Sequence, residues 1–214
     1  MTRGASHGML SIWKVSTTMK LRYILSILLV VSGCATAPGP GAGEFGTEPF
    51  GRYSVVHRGP ELEAAVGFSQ AGRSLGEEWL VIAVEFATAP RGTSFLVNRS
   101  DISMITPDGR RLALVSQNEF RENYGQLRVR LERGMATLPI LGRYETSQMP
   151  CDRWFLVDPF GSFAVDEIRV NTFQVCSGPL VFKVPGDVQP GRWRLIVELE
   201  ESRADIPFEI EVPD

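Results

Sequence analysis

From Leu180 to Val212 the chain alternates apolar and polar residues with a period of two, broken by segments rich in turn formers. Leu180, Phe182 and Val184 share one face, and Pro185-Gly186-Asp187-Val188-Gln189-Pro190-Gly191 follows as a turn. Trp193, Leu195, Val197 and Leu199 then alternate with Arg194, Ile196 and Glu198, and Phe208, Ile210 and Val212 alternate with Glu209 and Glu211. A helix repeats every 3.6 residues, so this pattern commits the region to strands with one buried face. Upstream, Leu80, Ile82, Val84 and Phe86 alternate with Trp79, Val81, Ala83 and Glu85. A run that is apolar on both faces predicts a central strand covered on both sides. Ile102–Thr106 and Leu112–Val115 flank Pro107-Asp108-Gly109-Arg110-Arg111, turn chemistry that predicts a hairpin. Arg153–Val157 and Glu167–Val175 read as shorter strands. Short strands set off by Pro/Gly turns predict an all-β, antiparallel β-sandwich.

The run Pro190-Gly191-Arg192-Trp193-Arg194-Leu195 resembles the closing strands of Ig-like envelope domains. The resemblance implies an Ig-like sandwich and carries no activity. One segment departs from strand periodicity. Ser116-Gln117-Asn118-Glu119 fits a capping box, and Phe120, Tyr124, Leu127 and Leu131 recur at helical spacing. Leu127, Val129 and Leu131 also alternate as a strand would, and Gly125 weakens a helix by about 1 kcal/mol relative to alanine. The pattern favours one short helix from Gln117 to Arg133, packed over an end or edge of the sandwich.

The first part of the chain reads as an address. Tyr23–Val31 is a nine-residue run, apolar apart from Ser26, preceded by Lys20 and Arg22 and followed by small residues. It is shorter than the roughly 20 residues of a membrane-spanning helix and matches the layout of an export signal. Val31-Ser32-Gly33-Cys34 resembles the lipobox of bacterial lipoproteins. The resemblance implies cleavage between Gly33 and Cys34, a diacylglycerol on the Cys34 thiol, and attachment to the membrane through acyl chains. At roughly 0.8 kcal/mol per buried CH₂, two or more chains hold a protein firmly. By the sorting rule that the lipoprotein resemblance brings, Ala35, being other than aspartate, favours the outer membrane in a cell with two membranes. Met19-Lys20 makes an ordinary lipoprotein start, so translation is expected to begin at Met19 instead of Met1.

The expected organisation is a signal region over 1–33, a lipidated Pro/Gly-rich tether over 34–51 and the sandwich over 52–214. A flexible tether of that length spans about 20–25 Å on average. Four of the 22 basic residues and none of the 25 acidic ones precede Cys34, so the remainder carries a net charge of −7. A surface of that sign makes a poor general binder of nucleic acid. With Cys34 assigned to lipid, Cys151 and Cys176 remain, and in an oxidising compartment they are expected to form a disulfide. A bridge over that separation stabilises by about 3.5 kcal/mol in the chain-entropy model. The alternative is a pair of buried free thiols.

Catalytic signatures are sparse. Gly72-Arg73-Ser74-Leu75-Gly76 matches the G-x-S-x-G elbow, but the apolar run after it predicts a strand where the elbow needs a helix. His57 is the only histidine after the signal and precedes Ser74, so a hydrolase is a minor alternative. One histidine offers no zinc cluster and no acid–base relay, and His57 reads as a partly exposed strand residue. Glu77, Glu78, Asp152, Asp158, Asp166, Glu167, Glu198, Glu200 and Glu201 show no calcium-loop pattern and read as solvated surface. Neither a cofactor nor a metal is expected. Arg121, Arg128, Arg130 and Arg133 could form a patch for anionic glycan or lipid heads, yet Glu119, Glu122 and Glu132 interleave with them as on a solvated helix. Trp79, Trp154 and Trp193 sit within apolar runs and read as core. The expectation is a lipid-anchored envelope protein whose domain is a non-enzymatic interaction or structural module with a protein partner. The rival is an envelope protein that binds a small glycan or lipid.

Overall fold

The computed structural model describes residues 45–90, 92–138, 149–161 and 163–212. In chain order these form β1 (Gly46–Pro49), β2 (Ser54–Arg58), β3 (Leu62–Gly67), β4 (Trp79–Thr88), β5 (Phe95–Asn98), β6 (Ile102–Ile105), β7 (Arg111–Ala113), α1 (Gln117–Ala136), β8 (Met149–Pro150), β9 (Glu167–Val170), β10 (Gln174–Lys183), β11 (Gly191–Glu198) and β12 (Arg203–Ile210). The strands make a six-stranded sheet ordered β1-β2-β3-β4-β10-β8, a four-stranded sheet ordered β12-β11-β6-β7, and a ribbon of β5 with β9. Among the described residues the protein is mostly β with one α-helix, the composition of an all-β, sandwich-like fold.

The two apolar faces of β4 have separate covers. Lys183 of β10 lies opposite Trp79, and its Nζ is 3.9 Å from Glu119 Oε1 on α1. The Trp79, Val81 and Ala83 side of the sheet is therefore the one the helix covers. The alternate residues Leu80, Ile82, Val84 and Phe86 face the other way, with Phe182, Leu180 and Gly178 directly opposite them on β10. That second face carries the main core, which includes Trp193, Leu195 and Val197 of β11 and Phe208 of β12. Each such side chain contributes about 1.5–3 kcal/mol by leaving water. Along one side the two sheets join: Leu114 bridges Phe182, and Val115 N–H donates to the Val181 carbonyl at 3.1 Å. Toward β12, Phe68 stacks on Phe208 with ring centroids 5.0 Å apart. The Pro185–Gly191 turn carries the chain from the six-stranded sheet to the four-stranded one, with Asp187 in the left-handed region at φ 67°.

The hairpin expected around Pro107–Arg111 joins β6 and β7, and Gly109 supplies its positive φ of 87°. The helix begins where the capping box places it, since Ser116 Oγ accepts the Glu119 N–H at 3.2 Å. It continues to Ala136, past the expected Arg133, and lies against β4 and β10 instead of over a sandwich end.

Other expectations need correction. Arg153–Val157 is not a strand. Trp154, Phe155 and Leu156 are buried in succession, as in a strand covered on both faces, yet they pair with no neighbouring strand. This segment satisfies its polar groups without a ladder: Trp154 Nε1 donates to the Pro179 carbonyl at 2.9 Å, and Arg99 donates to the Phe155 carbonyl. Glu167–Val175 divides into β9 and the start of β10, because Asn171 turns the chain by accepting the Phe173 N–H at 2.8 Å. Gly46–Pro49, read as part of the tether, is an edge strand paired antiparallel with β2. One pair in the larger sheet is parallel, β8 with β10, beside Cys151 and Cys176, whose Cα atoms are 4.8 Å apart at disulfide distance.

Candidate functional site

On α1, Phe120, Leu127 and Leu131 are buried toward the sheet. Arg121, Tyr124 and Arg128 recur at i, i+3 and i+7 on a neighbouring stripe, with Gly125 and Val129 beside them. Facing this stripe is the turn Asp158-Pro159-Phe160-Gly161. Its sequence is that of a β-turn, with Asp first, Pro second and Gly fourth. Gly161 N–H closes it onto the Asp158 carbonyl at 3.1 Å. The Asp158 carboxylate fastens the turn twice more: Oδ1 accepts the Phe160 N–H and Oδ2 accepts the Tyr124 hydroxyl, both at 2.8 Å. One residue earlier, Gln117 donates to the Val157 carbonyl at 2.9 Å and accepts the Val157 N–H at 3.3 Å. The turn is thereby fixed to the helix at Gln117 and at Tyr124.

Between helix and turn runs a groove of about 750 Å³. Phe160 stands on its wall with 92% of its surface exposed, and Val129 is 46% exposed. Gly125 lines the middle, and a Cβ added there would meet nothing within 4 Å. Arg121 and Arg128, two helical turns apart, line the same groove. Arg121 has no ion pair among the described residues, whereas Arg128 meets Glu132 at 3.6 Å across an exposed turn. The Phe160 amide and then the Tyr124 hydroxyl hold the Asp158 carboxyl below its ordinary pKa. Burial, followed by the bond to Asp158, raises the Tyr124 phenol above its own. At neutral pH the turn is thus held by an ionised carboxylate and a neutral phenol. The groove offers an aromatic and aliphatic wall, an open backbone notch and two guanidinium groups.

A second, smaller concavity of about 350 Å³ lies between β2 and β12, with Phe68, Phe208 and Val55 among its lining and Arg52, Arg192 and Glu209 at its margin.

The residues singled out from sequence are scattered. Ser74 is completely buried in a 3₁₀ turn and its hydroxyl donates to the Gln70 carbonyl at 3.2 Å. His57 lies on β2 as expected but is buried, with Nδ1 2.9 Å from Thr47 Oγ1. Burial lowers its pKa below 6.5, and Asp205 opposes that shift. Among the carboxylates, Glu77 pairs with Arg130, Glu78 with Lys183, Asp166 with Arg99, and Glu198 with Arg111 and Arg203. No group of three His, Cys, Asp or Glu arranged to hold a metal occurs among the described residues. The four arginines of α1 do not form one patch. Arg121 and Arg128 share the groove, while Arg130, on the opposite side of the helix from Arg121, pairs with Glu77. Trp79, Trp154 and Trp193 are buried. Gly33, Cys34, Met19 and most of the expected tether lie outside the described residues.

The sequence marks Gly125 only as a residue that weakens the helix, and Pro159 and Phe160 were passed over. The Asp-Pro-Phe-Gly turn was a visible signal for the last two, since a turn formula with a large aromatic at its third position places that side chain in solvent. No protein-family model, curated protein or solved structure matches the chain.

Proposed function

We propose that the protein is a lipid-anchored cell-envelope lipoprotein. Acyl chains on Cys34 hold it to the membrane, the outer one in a two-membrane cell. Its Ig-like sandwich acts as a non-enzymatic interaction module that docks a protein partner in the groove between α1 and the Asp158–Gly161 turn. One observation carries this reading: Phe160 is 92% exposed on a turn tied down by its own hydrogen bond and by both oxygens of one carboxylate. A large aromatic left in water forgoes about 2 kcal/mol of burial. A rigid turn that presents it gives a partner an anchor whose ordering entropy is already spent.

A photoreactive amino acid in place of Phe160, in the full chain expressed in its own cells, tests the reading. The expected result is a discrete protein adduct that weakens in a Cys34→Ala background and is missing when the probe replaces exposed Arg203 on β12. Equal adducts from both positions, or none from 160, refute it. The apolar concavity between β2 and β12 favours the small-ligand reading. A rise in Tm with envelope glycans or lipids that Phe208→Ala abolishes, in a variant that still folds, would favour that reading.

A further inference from the structure

We infer that the groove accepts a short acidic peptide segment of the partner: an apolar side chain against Gly125 and Phe160, flanked by carboxylates that meet Arg121 and Arg128. This rests on the docking reading above and names the chemistry that the site recognises.

The chain after Cys34 carries a net −7, and Glu77, Glu78, Asp152, Asp166 and Glu198, five of the nine carboxylates singled out from the sequence, already pair with an arginine or lysine. Arg121, like Arg73, Arg133, Arg169 and Arg192, stands outside those pairs among the described residues, and of these five it is the one on the groove. It lines an open groove and has no carboxylate within ion-pair distance among the described residues. Its companion Arg128 holds Glu132 only at 3.6 Å, with both side chains well exposed, a contact that an incoming carboxylate can replace. A guanidinium is matched by a carboxylate through two parallel hydrogen bonds.

Glycine inside a helix is unfavourable relative to alanine, and packing usually accounts for it. Among the described residues nothing does so at Gly125, where a Cβ would meet open space. A partner chain that comes close to the helix backbone uses the opening. With the notch at 125 between arginines at 121 and 128, the groove reads an apolar residue between two acidic ones. Its volume of about 750 Å³ is within the range of roughly 300–1,000 Å³ typical of sites for compact ligands, so it holds a few residues and not a whole domain face.

The charges on α1 favour a peptide over a bilayer. An anionic membrane pressed on α1 would meet Glu119, Glu122 and Glu132 together with the arginines, on a protein that is itself anionic. A narrow segment lying in the groove meets the two guanidiniums and avoids most of that repulsion.

The test uses the full chain in detergent micelles to select from a library of random twelve-residue peptides. Binders to Arg121→Glu/Arg128→Glu are discarded. The expected consensus has acidic residues on both sides of an apolar one. The consensus peptide should lose about tenfold or more in affinity for each single charge reversal and weaken with salt. Gly125→Leu should weaken it about tenfold with the Tm unchanged or raised, an outcome that a purely structural glycine could not give. Groove-dependent peptides without carboxylates overturn the acidic assignment and leave the docking reading in place. The absence of any groove-dependent peptide overturns both. Cosedimentation with phosphatidylglycerol vesicles that requires Arg121 and Arg128, without peptide binding, assigns the groove to a membrane and also overturns the proposal.

Discussion

Gly178→Ala is expected to be among the most damaging single-methyl additions in the chain. Gly178 sits in β10 opposite Val84, and the indole of Trp154 lies directly over it. An ideal Cβ at 178 would lie 2.2 Å from Trp154 Nε1 and 2.3 Å from both Cδ1 and Cε2. Ordinary contact begins near 3.4 Å, so the ring has to retreat by more than 1 Å. It has nowhere to go without loss. Trp154 is 5% exposed, its ring lies 5.1 Å from Phe155 and 5.9 Å from Phe86, and Nε1 donates to Pro179 O at 2.9 Å. Overpacking a core costs about 1–3 kcal/mol. Breaking the indole bond and leaving a buried donor or acceptor unpaired adds about 1–3 kcal/mol. Together these give about 2–6 kcal/mol, a large part of the roughly 5–15 kcal/mol that holds a domain together. Urea unfolding followed by far-UV circular dichroism measures the loss. Trp154→Ala should itself destabilise, but Gly178→Ala should then add little, giving a coupling of several kcal/mol in the double-mutant cycle. Gly178→Ala within 1 kcal/mol of wild type, or strictly additive mutations, would refute the packing argument.

Gly125→Ala should do the opposite and stabilise by about 0.5–1 kcal/mol, because the added methyl meets nothing and helix propensity improves; thermal unfolding reads the sign. Arg99→Ala should cost about 2–4 kcal/mol in chemical denaturation, since the Arg99 guanidinium serves the carbonyls of buried Val115 and Phe155; its bond to the exposed Asp166 adds little, and Arg99→Lys should recover only part because an ammonium cannot span the same fork. The His57 pKa is depressed below 6.5 in the fold, so the unfolded chain binds that proton more readily. Stability should therefore fall as pH drops from about 6.5 toward the lower folded value, and His57→Gln should flatten that part of the profile. Tyr124→Phe should let the Asp158 carboxyl, now depressed, titrate closer to its ordinary range. The stabilisation that Asp158 supplies above its unfolded pKa of about 4 is then lost sooner on acidification, as an NMR titration of the carboxyl carbon will show.

Periodicity gave a sound guide wherever a strand lies between two covers or pairs over its whole length. β4 is apolar on both faces because a helix covers one and the main core the other, and β11 and β12 pair residue by residue from Gly191 with Ile210 to Glu198 with Arg203. The start of the helix was legible because Ser116 and Glu119 act locally. Its position was not, since Phe120, Leu127 and Leu131 specify an apolar neighbour without naming it. Arg153–Val157 misled because three consecutive buried residues imitate a two-sided strand; the distant Arg99 and Pro179 let it remain irregular. Gly46–Pro49 was hidden by composition: a strand of Gly, Thr, Glu and Pro carries no apolar face and exists through its pairing with β2. At the candidate site, the arginines were visible in the sequence but their division was not. Arg130 turns to Glu77 while Arg121 and Arg128 stay on the groove, and that separation depends on where the sheet lies.

Gly125 and Gly178 show why the groove has to be judged by what the fold returns for each residue. Both lie inside regular secondary structure, where glycine is unfavourable. At 178 the unfavourable residue is repaid in packing, since only hydrogen leaves room for Trp154. At 125 no described residue uses the space, and across the groove Phe160 stands in water on a turn anchored by Asp158. Two departures from the most stable arrangement therefore face each other across one groove, together with an arginine that has no carboxylate partner among the described residues. Filling the notch should strengthen the fold and weaken binding in the same variant. That opposition distinguishes a docking groove from an incidental fissure, in which the added methyl would change stability alone.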